Sequence, residues 1–366
     1  MHDPRLPNAR QPDASSFAAS AEVQHFYERY PYPGPVDSLD AYRQLWADPQ
    51  RRRADHHLFQ PATPYREDPA ILVAGCGTSQ AAKHALRWPA ARVTGIDFSA
   101  TSVQCTEALK RKYRLDNLEL HQLAIERAGE LGTQFDLVAA LPSLPAAHPL
   151  QHLLRAAPDF QHAAALADAL LNPQDRAYSV PQLFDFLDSA GLSFGRWLSQ
   201  APYSPHCGLM AGLPQAPRLL QLAPAEQFAA AELFRGTMVM HSVVAYRSDR
   251  PGGSPQPVFA GDAWQAYVPI RLPDTVCVQD AARMPPGAAA VLINRNHTDK
   301  DLFLPIDAVK KRLLDAVDGQ RSIADIVAAN PLAAQSSSSA SLARDFFERL
   351  WCWDQVVLDT SRQAVG

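Results

Sequence analysis

The sequence predicts an α/β fold: a parallel sheet of about six strands with helices on both faces, followed by a smaller α+β domain. Three observations predict it. Residues 71–74, ILVA, form a short continuous apolar run, as a parallel strand does when both its faces are covered, and the run ends in the turn Gly75-Cys76-Gly77-Thr78. A second apolar run, residues 92–96, ends in Asp97, about 20 residues beyond that turn. Strand and helix patterns then keep alternating, through LELHQL at 118–123 and FDLVAA at 135–140.

The composition narrows the function classes. With 366 residues the chain has length for two to three domains, and a net charge of -4 argues against a surface that coats nucleic acid. Cys76, Cys105, Cys207, Cys277 and Cys352 are scattered with no CxxC pair. That spacing suggests neither a disulfide framework nor a zinc site, so no metal and a reducing cytoplasm are expected. The N-terminus carries no long apolar run, so neither a signal peptide nor a membrane span is expected.

Taken in order, residues 1–20 are rich in Pro, Ala, Ser and Asp and read as a disordered tail. From Ala21 an amphipathic helix is expected, with Val23, Phe26, Tyr27 and Tyr30 on one face, stopped by Pro31. Arg51-Arg52-Arg53 and His56-His57 read as a solvated loop that closes an N-terminal helical cap, residues 21–66. Two glycines around one small residue turn the backbone tightly and let a ligand approach it, and the helix from Gln80 points its free N–H groups back at that turn. Asp97 can accept both hydroxyl hydrogens of a ribose. Ser99 caps the next helix, which runs to about Arg114 with Cys105, Leu109 and Tyr113 on one face.

A dinucleotide site would need a third glycine three residues after Gly77, and that position is Gln80. The turn instead resembles motif I of class I S-adenosylmethionine-dependent methyltransferases, with Gly75, Gly77 and then Ser79 in place of the third glycine, and Val73 where the family often has an acid. Residues 93–99, VTGIDFS, resemble the family's second motif, and FDLV at 135–138 its fourth strand, whose Asp136 is structural. The resemblance covers residues 22–247 and implies a Rossmann-like sheet binding S-adenosylmethionine. It assigns Gly75, Cys76, Gly77, Thr78, Asp97 and Phe98 to the cofactor, with Ala124 and Ile125 as walls of an adenine slot. FYERYPYPGP at 26–35 resembles the lead-in that caps the cofactor pocket in some members, with Tyr30 and Tyr32 as contacts. No catalytic residue is assigned, because methyl transfer needs chiefly an in-line approach. His241 reads as a satisfied core histidine.

The chain departs from that family after Ala140. Between Leu141 and Ala190 the one β-branched residue is Val180, so the segment reads as helices, one starting at Ser179-Val180-Pro181, and the family's fifth strand is missing. Residues 192–198 and 237–246 resemble the sixth and seventh strands, with a helix over 225–234 between them, and are expected to close the gap in the same sheet. The expected organisation is a cofactor domain over 67–249, a linker at 250–257, and a C-terminal domain over 258–366 that resembles a small winged helix. From Asp299 to Asp359 it carries 7 Lys and Arg against 10 Asp and Glu, the wrong sign for DNA, so a protein partner or dimerisation is expected. Two functions stay open: a methyltransferase acting on a small molecule or peptide side chain, and a degenerate homologue working as a protein-interaction module.

Overall fold

Short apolar runs buried on both faces pair side by side, and they build the centre of the first unit. Strand β1 (Ala70–Ala74) is buried along its whole length. It pairs in parallel with β2 (Arg92–Asp97) on one side and with β4 (Leu137–Ala140) on the other. Strand β3 (Leu118–Gln122) completes the order β3-β2-β1-β4 beside β2. The computed structural model describes residues 28, 31, 34–132, 135–140, 178–236, 238, 240–249, 256–280, 284–330 and 339–362. The expected tail, the helix from Ala21, Tyr30, Tyr32 and the helices expected between 141 and 177 lie outside them.

Local chemistry explains the connections. Helix Gln80–Arg87 packs Ala81, Ala82 and Ala85 inward, small enough to bring it close to the sheet. Gly95 in β2 faces that helix: a Cβ there would stand 2.7 Å from both Ala81 Cβ and Leu120 Cδ2. Ser99 caps helix Ala100–Tyr113 by accepting the Ser102 N–H. The inner face of this helix is Ser102, Thr106 and Leu109, one position round from the expected Cys105, Leu109 and Tyr113. Asp136 exchanges bonds with Ala70 at the start of the sheet, accepting its N–H at 2.7 Å, a structural role as expected.

The chain divides into two units, residues 1–45 with 67–177 and residues 46–66 with 178–366. The expected boundary at 250–257 is therefore corrected. Residues 178–249 belong with the C-terminal segment because buried polar bonds stitch them together: Arg196 pairs with Asp354 at 3.2 Å, and the Ala201 N–H donates to the same carboxylate. Residues 46–66 belong there too. The arginine run is no solvated loop but part of helix Pro49–Phe59, whose Asp48 cap accepts the Gln50 N–H. Arg53 reaches Asp359 at 3.2 Å, and Ala54 packs with Ile270 and Val357.

The expectation of about six strands in one sheet is also corrected. Among the described residues the parallel sheet has four. Strands β5 (Leu192–Trp197) and β6 (Val243–Arg247) pair with each other, antiparallel, in the second unit. They are partly exposed, unlike β1, and an aromatic cluster of Phe184, Phe194, Trp197, Tyr203 and Phe228 covers one face. A bulge at Gly195 leaves room for the Tyr246 ring opposite, which a Cβ would meet at 2.3 Å. Helices Val180–Ser189 and Pro224–Arg235 supply the cover, close to their expected positions.

The rest of this unit has strands β7 (Val268–Arg271), β8 (Thr275–Val278), β9 (Ala290–Asn294), β10 (Phe303–Ile306) and β11 (Val356–Asp359). They form a three-stranded sheet, β10-β9-β8, and a β11-β7 pair. Helices Ala308–Asp315, Ile323–Ala328 and Ser339–Cys352 pack a large core around Phe346, Phe347, Leu313 and Trp353. The first of these helices begins after Asp307, because residues 303–306 are spent on a strand.

Candidate active site

The candidate site lies where the first three strands of the parallel sheet end. The turn after β1 is fixed by its own backbone: the Cys76 N–H donates to the Ile96 carbonyl, and the Gln80 N–H to the Cys76 carbonyl. Gly75 (φ +67°) and Gly77 (φ +53°) adopt the left-handed conformation that side chains resist, so the two glycines are required by the turn itself. A helix residue, Thr106, ties the turn down from behind by donating its hydroxyl to the Gly77 carbonyl at 2.9 Å.

Asp97 stands at the end of β2, about 6% exposed, and its carboxylate bridges the two loops. Oδ2 accepts the Gly77 N–H at 2.8 Å and Oδ1 accepts the Ser99 N–H at 2.9 Å. No cation among the described residues pairs with it. Burial raises its pKa above the ordinary carboxylate value against the pull of those two N–H groups, and the nearby Glu28 charge raises it further. Cys76 is pushed up to about 12, first by burial and then by Asp97, so its thiol packs rather than reacts.

The third loop comes in from β3. The Leu123 N–H donates to the Asp97 carbonyl at 2.8 Å, and Gln122 Nε2 to the Phe98 carbonyl at 3.3 Å. Ala124 is half-buried, and the half-exposed Ile125 reaches over the turn, its Cδ1 3.5 Å from where a Gly75 Cβ would stand. The eight residues named from the sequence thus sit on three adjacent loops at one end of one sheet. Thr78 is fully buried, with its hydroxyl donating to the Gly34 carbonyl at 3.3 Å.

Residues 71–164 match a family profile described as a methyltransferase domain. That segment carries a methyltransferase domain. The fold of the chain is similar to that of PKMT2 from Rickettsia typhi, with a TM-score of 0.56 at 12% identity, covering 86% of this chain and 76% of that one. A second structure of PKMT2, in complex with AdoHcy, gives a TM-score of 0.46 at 14% identity and covers 84% of this chain and 73% of that one.

S-adenosylmethionine is the cofactor that a methyltransferase domain implies. The residues present fit it. The cofactor has a ribose and no phosphate, and Asp97 keeps acceptor sites beyond the two it uses, since a carboxylate offers about four. Three residues of the site were not read from the sequence: Thr106, Gly34 and Glu28. Thr106 had a weak signal, a hydroxyl four residues after Ser102 on the inner helix face. Gly34 and Glu28 lie in the stretch 26–35 expected to cap the pocket, but neither was singled out there, because their partners lie far along the chain. Among the described residues there is no cluster of His, Cys, Asp and Glu that could hold a metal, and no helix long and apolar enough to cross a membrane. His241 is satisfied, with Nδ1 2.7 Å from the Tyr203 hydroxyl and Nε2 3.1 Å from Glu232, and it precedes β6 rather than lying within a strand.

Proposed function

We propose that the chain methylates a small molecule or a peptide side chain, with the cofactor held by Gly75, Cys76, Gly77, Thr78, Asp97, Phe98, Ala124 and Ile125. The observation that carries this reading is the Asp97 carboxylate, fixed by two backbone N–H groups and keeping free acceptor sites for ribose hydroxyls. The open backbone at Gly75 and Gly77 supports placement of the methionine end against the turn, where a Cβ would stand in the way. Ile125 over Gly75 supports an apolar wall for the adenine.

Bound S-adenosylmethionine supplies an electrophilic methyl group for in-line attack. The protein's share is then positioning: the three loops fix the donor, and an acceptor approaches along the line of the breaking bond. A cytoplasmic setting is part of the reading and is supported by five cysteines that are all free. The acidic balance of the C-terminal region supports a protein partner or a second copy there, and not a nucleic acid.

Calorimetric titration with S-adenosylhomocysteine, beside an Asp97→Ala control, tests the reading. Micromolar binding that the control loses supports it. No heat from a folded full-length chain overturns it and turns attention to the interaction-module reading.

A further inference from the structure

One acidic side chain reaches the ribose end of the site from far upstream. The Glu28 carboxylate accepts the Ala100 N–H at 2.6 Å, the Thr101 N–H at 3.1 Å, and the Thr101 hydroxyl. These are the first N–H groups of helix Ala100–Tyr113, which begins three residues after Asp97. Unpaired N–H groups at the start of a helix, backed by its dipole, make a ready anion site. Here the chain fills that site with its own carboxylate.

Two later residues, Gly34 and Leu39, bond to the same unit. The Gly34 carbonyl accepts from Thr78, and the Leu39 N–H donates to the Tyr113 hydroxyl at 2.6 Å, at the far end of the same helix. Burial works to raise the Glu28 carboxyl, but the hydrogen bonds from Thr101 and Ala100 outweigh it and hold the group below its ordinary value. Glu28 is therefore charged at neutral pH. A second negative charge stands within electrostatic reach of Asp97.

We propose that Glu28 is a specificity-determining residue of the cofactor site: a fixed negative charge on the helix N-terminus beside Asp97 admits a ribose with free hydroxyls and rejects one carrying a phosphate. The inference rests on the cofactor reading above. Folds of this type separate a ribose hydroxyl from a ribose phosphate just beyond the second strand, by the sign of the charge that meets it. Removing Glu28 would leave two helix N–H groups and the Thr101 hydroxyl ready for a phosphate.

The test is titration of the full chain and of its Glu28→Ala and Glu28→Gln variants with S-adenosylhomocysteine and with adenosine 2′-monophosphate, with circular dichroism as a check of folding. The parent is expected to bind S-adenosylhomocysteine and to reject the phosphate. Glu28→Ala is expected to gain about tenfold or more for the phosphate relative to S-adenosylhomocysteine, and Glu28→Gln a smaller gain in the same direction. If Glu28→Ala does not fold, Glu28→Gln carries the test. A folded variant whose ratio of the two affinities equals the parent's overturns the proposal while leaving the cofactor site intact. No binding of S-adenosylhomocysteine by the parent overturns the cofactor reading and the proposal with it.

Discussion

Asp97 and Asp354 are both buried carboxylates at the end of a structural element, and their surroundings give them opposite roles. Asp354, about 1% exposed, takes Arg196 on one oxygen and the Ala201 N–H on the other, with His297 Nε2 at 3.0 Å from the second. Its backbone is left-handed (φ +54°), and its carbonyl accepts from Asn294 at 2.6 Å. Three partners meet the carboxylate, and a cation neutralises it. Asp97 has one backbone N–H on each oxygen and no cation among the described residues. Burial alone does not mark a functional acid; leftover acceptor capacity without a counter-charge does.

The sharpest way to break this contrast is to remove each acid. Asp354→Ala leaves the buried Arg196 unpaired and is expected to cost the second unit about 3–5 kcal/mol, read by urea unfolding with tryptophan fluorescence. A loss under about 1 kcal/mol would show that Asp354 is not the structural tie described. Asp97→Asn sets an amide NH2 against one of the two backbone N–H groups, so it is expected to cost the first unit about 1–3 kcal/mol, less than Asp354→Ala costs the second, and to lower S-adenosylhomocysteine affinity about tenfold or more.

The pH dependence of Asp97 sharpens the contrast. Its folded pKa lies above the unfolded value of 3.8, so the folded state takes up the proton first as pH falls. Through that window Asp97 adds stability as pH drops, while cofactor affinity falls with loss of the carboxylate. Titrations over a pH series should show this acid limb in the parent and not in Asp97→Asn.

In the second unit the expected sign is reversed. Burial pushes His57 down to about 4 from 6.5, so between those values the unfolded chain binds the proton and the folded chain does not. Its contribution is full above pH 6.5 and is lost as pH falls toward about 4. His57→Leu should flatten that stretch of the stability curve.

The smallest expected effect comes from two helix caps. Ser99 and Ser322 each accept a backbone N–H at a helix start, so Ser99→Ala and Ser322→Ala should each cost about 1 kcal/mol. Ser99→Ala keeps the backbone N–H that Asp97 accepts, so S-adenosylhomocysteine affinity is expected to change little.

What was legible in the sequence was what is written locally. The buried first strand appears as an apolar run, the third as an apolar/polar alternation, and the turn and Asp97 follow at fixed spacing, so the four strands of the parallel sheet and the residues at the ends of the first three could be named. The pairing of 192–197 with 243–247 could not, because a strand's sequence does not state its partner. That choice rests on the Gly195 bulge and on rings supplied by two helices. Arg53 looked solvated because its partner, Asp359, lies 306 positions away. Glu28 sits among aromatics, and nothing nearby signals the helix start 72 residues later that it caps.

The excursion of residues 46–66 into the second unit bears on how the protein is made. Helix Pro49–Phe59 leaves the ribosome well before Ile270 and Val357, which cover Ala54, and before Thr360, whose N–H donates to the Pro61 carbonyl. The second unit therefore cannot close until the segment reaching Thr360 has been made, and the helix waits for its cover while the residues between are produced. A fragment starting at residue 178 would lack its own first piece. Expressing that unit alone would require a permuted gene that returns residues 46–66 to it.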